Sequence, residues 1–192
     1  LGGVAVYGAV IAAFLSGYFA CRWRKVPILP MFDLAGMGFL LGQGIGRWGN
    51  FVNCEAFGGY TDSLVAMRIK RSIVNESMIS QELLENLITE NGIEYIQVHP
   101  TFLYESMWNL GLLLFMLWYR KRKKFTGEML LIYLTGYGIG RAWIEGLRTD
   151  QLLIPGTELA VSQVLSMVIA VISLAVLLFH RRKGPGESEE TV

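Results

Sequence analysis

The sequence predicts an all-α integral membrane protein with about five transmembrane helices and a small extracytoplasmic head segment. The first observation is composition: of 192 residues, 53% are hydrophobic and 17% are charged, with a mean hydropathy of +0.41. A soluble domain carries about 25% charged residues. The second is the recurrence of long apolar stretches, three of which end in clusters of Lys and Arg. The third is one long polar segment between the second and third stretches.

Five apolar stretches are long enough, or nearly so, to cross about 30 Å of hydrocarbon as helices. They lie at about residues 3–20, 31–48, 101–119, 129–144 and 159–179. Basic clusters follow the first, third and fifth stretches, at residues 22–25, 120–124 and 181–183. Lys and Arg in short loops stay on the cytoplasmic side. The chain is therefore predicted to start outside and end inside as one polytopic domain.

This topology places the polar segment at about residues 58–98 outside the membrane, where we expect short strands and one helix. Residues 184–192 form the predicted cytoplasmic tail, whose composition is typical of disorder. The chain begins at Leu1, already within an apolar stretch, so we expect that N-terminal helices are missing from it.

Charge and cysteine content exclude several functions. A net charge of +1 leaves no strongly basic face for a nucleic acid, so no such partner is expected. Cys21 and Cys54 are too few and too far apart to indicate a disulfide framework or a zinc site. We expect neither a metal site nor a cofactor.

The pattern Gly-x-Gly-Ile-Gly-Arg occurs twice, at residues 42–47 and 136–141. The first copy also satisfies the Gly-x-Gly-x-x-Gly pattern of dinucleotide-binding folds. It ends an apolar helix instead of following a strand, which excludes that interpretation. Gly38, Gly42 and Gly46 fall four residues apart, which predicts a helix face that a neighbouring backbone approaches closely.

Helix packing explains the glycines but not Arg47 and Arg141. An arginine at the centre of a membrane helix costs about 2.5–3.5 kcal/mol, and less near the interface. Such a residue faces a polar cavity or extends to the headgroups, and the sequence leaves both alternatives open. Two arginines on parallel helices, with Asn50 and Asn53 nearby, would make a phosphate clamp, because guanidinium forks bind phosphate oxygens in pairs.

Four polar residues at the second copy are spaced by four, four and three residues, which predicts one helical stripe: Tyr137, Arg141, Glu145 and Arg148. A phospholipid headgroup entering from the outer leaflet is the phosphate that such a cavity would meet. Glu55 and Glu145 would orient the arginines or carry protons.

A third polar group opens the third apolar stretch. Pro100 suits the first turn of a helix, where its missing N–H is not needed. His99 is a candidate base or a capping residue. Glu105 would lie within the membrane, and we expect it to pair with an arginine. Tyr7 lies at the outer end of the first helix, where tyrosine is common.

Taken together, these motifs resemble the prolipoprotein diacylglyceryl transferase family. The segments that match are Gly46-Arg47-Trp48-Gly49-Asn50-Phe51-Val52-Asn53-Cys54-Glu55 with Gly58, His99-Pro100-Thr101-Phe102-Leu103-Tyr104-Glu105, and Gly136-Tyr137-Gly138-Ile139-Gly140-Arg141 with Glu145 and Arg148. Members of this family have additional N-terminal transmembrane sequence.

The resemblance implies a bacterial inner-membrane enzyme that moves the diacylglyceryl group of phosphatidylglycerol onto the lipobox cysteine of a prolipoprotein. It implies that Arg47 binds the phosphatidylglycerol headgroup and that Arg141 is critical. Further positions that the family treats as important are Asn50, Glu55, Gly58, Tyr137, Glu145 and Arg148.

One departure concerns the base. Many members carry histidine where Tyr7 stands, and a tyrosine with an ordinary pKa near 10 is a poor base. Tyr7 and His99 both remain candidates. The alternative to an enzyme is a non-catalytic phospholipid-binding membrane protein or a transporter. A transporter would place its polar site nearer the midplane of the bilayer.

Overall fold

The computed structural model describes residues 2–149, 151–154, 156–157 and 159–183, with the side chains of residues 12–182 within those ranges. The described ranges contain six α-helices: α1 (Gly2–Arg24), α2 (Ile28–Val52), α3 (Gln81–Glu85), α4 (Thr101–Tyr119), α5 (Glu128–Glu145) and α6 (Val161–Lys183). Three strands lie between α2 and α4: β1 (Met67–Lys70), β2 (Ile88–Glu90) and β3 (Ile93–Val98). The described chain is thus mostly helical, with one small sheet.

Helices occupy all five apolar stretches of the sequence. Within the described residues, α2 and residues 161–182 of α6 have the length and apolar composition of a membrane span. The structure therefore contains two candidate spans, and a crossing by each of the other three long helices stays a prediction. The bundle core lies between α2, α4, α5 and α6 and contains Leu40, Leu113, Met116, Met129, Ile132, Tyr133 and Leu177.

A buried aspartate joins the start of α2 to the start of α5. The first N–H groups of a helix have no partner inside it, and α5 is preceded by its N-cap residue Gly127, whose φ of 93° suits glycine. Asp33 of α2 accepts hydrogen bonds from the N–H groups of Gly127 and Leu130, at 3.0 and 2.9 Å. Its negative charge is favourable at the positive end of the α5 dipole.

A buried glutamate joins three helices at the same end of the bundle. Glu128, at the start of α5, accepts a hydrogen bond from the hydroxyl of Tyr119 at the end of α4, at 2.9 Å. It also accepts one from Nε of Arg181, near the end of α6, at 2.7 Å. Hence α4 and α6 run antiparallel to α5. The basic residues at the end of α1, after α4 and at the end of α6 therefore lie at one end of the bundle.

The segment between α2 and α4 has its own core at the opposite end. The strands are ordered β1-β3-β2, both pairs antiparallel, with Met67 opposite Val98 and Ile88 opposite Tyr95. Six buried side chains fill this head: Phe57, Ile69, Val74, Leu83, Ile96 and Val98. Because β3 leads directly into α4, the sheet fixes where that helix begins.

The prediction that Gly38, Gly42 and Gly46 permit close helix packing is wrong for the described residues. A Cβ added at any of the three would meet nothing within 4 Å there. The packed glycines of α2 are Gly36, against Tyr133, and Gly44, against Leu110. These two lie on another face of the helix from Gly38, Gly42 and Gly46.

Candidate active site

Glu105 lies at the centre of the polar groups at the head end of the bundle. Its side chain is 5% exposed, and each of its two carboxylate oxygens lies within 3 Å of an arginine nitrogen. Nε of Arg47, from α2, lies 2.6 Å from Oε2, and Nη1 of Arg141, from α5, donates to Oε1 at 2.8 Å. The expected pairing of Glu105 with an arginine is confirmed, and the residue holds two helices to α4.

A second buried carboxylate fixes the far side of Arg141. Glu145 is one turn further along α5, and its Oε2 lies 2.7 Å from Nη2 of Arg141. The hydroxyl of Ser162, from α6, donates to its Oε1 at 2.5 Å. Arg141 therefore lies between Glu105 and Glu145, and its planar fork can face only in a narrow range of directions.

Arg148 reaches the same group by a different route from the predicted one. Four residues were expected on one helical stripe, but α5 ends at Glu145 and Arg148 lies beyond a turn through Gly146. The N–H of Arg148 donates to the carbonyl of Glu145, three residues earlier, at 3.1 Å. Nη1 of Arg148 nevertheless lies 3.9 Å from Glu105.

The backbone of Arg148 is held by the head segment. It forms an antiparallel bridge with Gly58, whose N–H donates to the carbonyl of His99 at 3.0 Å. A Cβ on Gly58 would lie 2.7 Å from the Leu147 carbonyl oxygen and 2.7 Å from Cβ of His99. Only glycine allows three chain segments to approach this closely. Gly58 thus positions Arg148 without presenting a side chain of its own.

A chain of amides extends from Arg47 to the surface. Nη1 of Arg47 donates to Oδ1 of Asn50 at 3.3 Å, and Nδ2 of Asn50 donates to Oε1 of Glu55 at 3.1 Å. Nδ2 of Asn53 donates to the same oxygen at 3.2 Å. After α2 the backbone turns through Cys54, whose φ is 53°, which returns Glu55 over the helix end. Glu55 orients Arg47 through Asn50.

Three guanidinium groups converge on two carboxylates in this inner group. The groups of Arg47, Arg141 and Arg148 lie within 4 Å of Glu105, and those of Arg141 and Arg148 also lie within 4 Å of Glu145. The arginine side chains are 21%, 17% and 12% exposed, whereas the carboxylates are 5% and 7% exposed. The exposed part of the group therefore consists mainly of guanidinium groups, with the carboxylates more deeply buried.

Three predicted site residues stand apart from the ion pairs. Nδ1 of His99 lies 3.2 Å from the hydroxyl of Tyr104, and the two rings are in contact. Tyr137 stacks on Tyr133 at 5.7 Å, one turn before Arg141 on α5. Tyr7 belongs to α1, but its side chain lies outside the described residues. The structure thus leaves the base unassigned.

From the sequence, Glu105 was expected only to pair with an arginine, and Ser162 was not identified as a site residue. An ionisable residue in an apolar helix is a strong signal for function, and a site built outward from Glu105 would have predicted both arginine contacts. Ser162 lies in a helix of ordinary composition and carries no such signal. Among the described residues, no group of three or more His, Cys, Asp or Glu could hold a metal ion.

Comparison with known proteins identifies the family. The sequence model of the prolipoprotein diacylglyceryl transferases matches residues 1–179. The chain belongs to this family. Its members are bacterial inner-membrane enzymes, consistent with the apolar helices of this chain.

Curated relatives in this family are called phosphatidylglycerol–prolipoprotein diacylglyceryl transferase. The one from Geobacillus kaustophilus is 39% identical over 189 residues, which cover 95% of this chain and 63% of that protein. The Lysinibacillus sphaericus protein is 40% identical over 190 residues, with the same two coverages. A Staphylococcus aureus protein is 36% identical over 182 residues, 95% of this chain and 60% of its own length. The chain thus spans under two thirds of these relatives.

The Gly58 contacts predict the effect of one methyl group. We expect Gly58→Ala to push apart His99 and Leu147 and to displace Arg148, which will lower the thermal unfolding midpoint in detergent. Strain of this kind costs about 1–3 kcal/mol. Gly59→Ala is the matched control, because its added Cβ would meet only the flexible end of Glu82, at 4.0 Å. Equal midpoints for the two variants would contradict the role given to Gly58.

Proposed function

We propose that this chain carries the site that transfers the sn-1,2-diacylglyceryl group of phosphatidylglycerol to the lipobox cysteine of a prolipoprotein. A thioether forms, and glycerol phosphate is released, in the first step of bacterial lipoprotein maturation. Family membership and the names of the relatives support the reaction. The single observation on this chain that carries the proposal is the convergence of three partly exposed arginines on two buried carboxylates, Glu105 and Glu145.

A phosphodiester suits this group. The phosphatidylglycerol phosphate bears one negative charge, which partly exposed guanidinium groups attract. Guanidinium forks bind two phosphate oxygens at once, and their carboxylate partners hold the forks in place before the lipid arrives. Arg47 and Arg148 bind the headgroup in this proposal, with Asn50, Asn53 and Glu55 orienting Arg47. Gly58 and Tyr137 shape the binding site.

The chemical step then breaks one C–O bond and forms one C–S bond. The cysteine thiol loses its proton, and its sulfur attacks the lipid glycerol carbon that bears the phosphate oxygen. Glycerol phosphate leaves with the electrons of the C–O bond, and its phosphate gains a second negative charge. Arg141, oriented by Glu145, stabilises this developing charge. Tyr7 and His99 are the two candidates for accepting the thiol proton.

The proposal includes a membrane arrangement. The five long helices cross the bilayer, so that the chain starts outside, the head segment lies outside, and residues 184–192, which are outside the described residues, form a cytoplasmic tail. The gathering of the basic clusters at the bundle end opposite the head supports this orientation. The arginine group then faces the outer leaflet, where lipid and prolipoprotein meet.

Arg47→Lys tests the phosphate clamp. Lysine keeps the charge but lacks the planar fork, so we expect diacylglyceryl transfer to a lipobox peptide to fall by at least about tenfold. Mass spectrometry of the peptide after incubation with phosphatidylglycerol measures this. Arg68→Lys is the control, because Arg68 is an exposed head residue paired with Glu90. Undiminished transfer by Arg47→Lys would contradict the clamp. Lipid binding without any peptide mass shift in the unmutated protein would favour the transporter or lipid-binding alternative.

Cysteine labelling tests the membrane arrangement. In a chain whose Cys21 and Cys54 are replaced by Ser, new cysteines at Asp62 and Lys121 should lie on opposite sides of the membrane. We expect an impermeant thiol reagent to label Asp62→Cys in intact spheroplasts and Lys121→Cys only after lysis. Labelling of both before lysis, or the reverse pattern, would contradict the proposed orientation.

A further inference from the structure

A groove at the basic end of the bundle lies between α4, α5 and α6. It has a volume of about 300 Å³, at the lower end of the range for sites that bind small molecules. Its wall is largely apolar and includes Leu112, Phe115, Ile132 and Leu177. Tyr119 and Arg181 stand at one end. The groove is therefore amphipathic along its length, with a charged mouth and an apolar interior.

The charged mouth is distant from the arginine group around Glu105. Tyr119 follows Glu105 by fourteen residues on α4, which at 1.5 Å per residue separates them by about 21 Å along the helix. Such a separation is about two thirds of the roughly 30 Å thickness of a bilayer core. A headgroup at this mouth cannot also touch Arg47 or Arg141.

Basic side chains surround the buried carboxylate at this mouth. Nε and Nη2 of Arg181 contact Glu128, and its Nη1 has no hydrogen bond or ion pair within the described part of the chain. Basic residues crowd the same end, on the turn after α4 and on α6: Arg120, Lys121, Arg122 and Arg182. Basic pockets between membrane helices on the cytoplasmic side are typical sites for anionic lipid headgroups.

We infer that this groove binds the acyl chain of an anionic phospholipid whose phosphate lies beside Arg181. The apolar wall runs from Tyr119 back to Leu112, about 10 Å along α4, which accommodates the upper part of one chain. The hydroxyl of Thr135 lines the groove and has no hydrogen-bond partner among the described residues. This lipid is a second one that does not react, bound at the face opposite the transfer site.

Photocrosslinking tests the inference on the full chain in nanodiscs. The probe is phosphatidylglycerol with a diazirine in its acyl chain, and crosslinked peptides are mapped by mass spectrometry. We expect crosslinks at Leu112, Phe115 or Leu177. The same probe with a phosphatidylcholine headgroup should give about fivefold fewer of them, because a basic residue near the surface contributes about that factor for an anionic lipid. No groove crosslinks, or equal crosslinks from both probes, would overturn the inference.

Filling the groove separates binding there from general contact with lipid. Thr135→Trp places an indole in the groove, whereas Leu178→Trp adds the same ring to an exposed position of α6 outside it. We expect the first variant to lose groove crosslinks and keep those near Arg47, and the second to keep both. Thr135→Leu serves if the larger substitution prevents folding. Unchanged groove crosslinks in a folded Thr135 variant would refute the site.

Discussion

The functional end of this protein depends on one carboxylate that two arginines share. Glu105 is buried near the start of α4 and takes Arg47 from α2 on one oxygen and Arg141 from α5 on the other. Removing one partner of a buried ion pair costs about 3–5 kcal/mol, because the remaining charge is then uncompensated. Three helices are consequently held together by the same contacts that aim the guanidinium groups.

Buried carboxylates connect neighbouring helices at both ends of the bundle. At the basic end, Asp33 caps α5 from a neighbouring helix, and Glu128 joins the ends of α4 and α6 to the start of α5. There the charge of Asp33 is stabilised by backbone N–H groups, and that of Glu128 by Arg181. At the head end three arginines converge on one carboxylate, that of Glu105, and their partly exposed guanidinium groups form the site proposed for the phosphate.

The sequence identified site residues correctly where a charged side chain lies in an apolar helix, at a cost in free energy. Arg47, Arg141 and Glu105 interrupt apolar helices, which indicated a polar cavity or headgroup contact for the arginines and a pairing of Glu105 with one of them. It was uninformative where position depends on packing between distant segments. The place of Arg148 follows from the bridge to Gly58, ninety residues earlier in the chain, and a helical spacing rule assigned it to the wrong element.

The two glycine motifs illustrate the same limit. Helix packing was predicted for Gly42 and Gly46 of the first copy, but it is the corresponding glycines of the second copy, Gly136 and Gly140, that pack closely, against Leu112 and Trp108. In the first copy the packed residue is Gly44, while Gly42 and Gly46 have no described neighbour within 4 Å of an added Cβ. Identical local sequence cannot indicate which face a neighbouring helix covers.

The most direct measurement is the steady-state kinetics of Glu105→Gln, with exposed Glu90→Gln as control. The amide keeps the size of the side chain but replaces one carboxylate oxygen with an NH2 group, which cannot accept a hydrogen bond from an arginine. The account predicts that kcat for diacylglyceryl transfer falls about a hundredfold, because misplacing a catalytic group by about 1 Å has that effect. It also predicts that KM for phosphatidylglycerol changes little, since all three guanidinium groups keep their positive charges. An unchanged kcat in a folded variant would contradict the central role of Glu105.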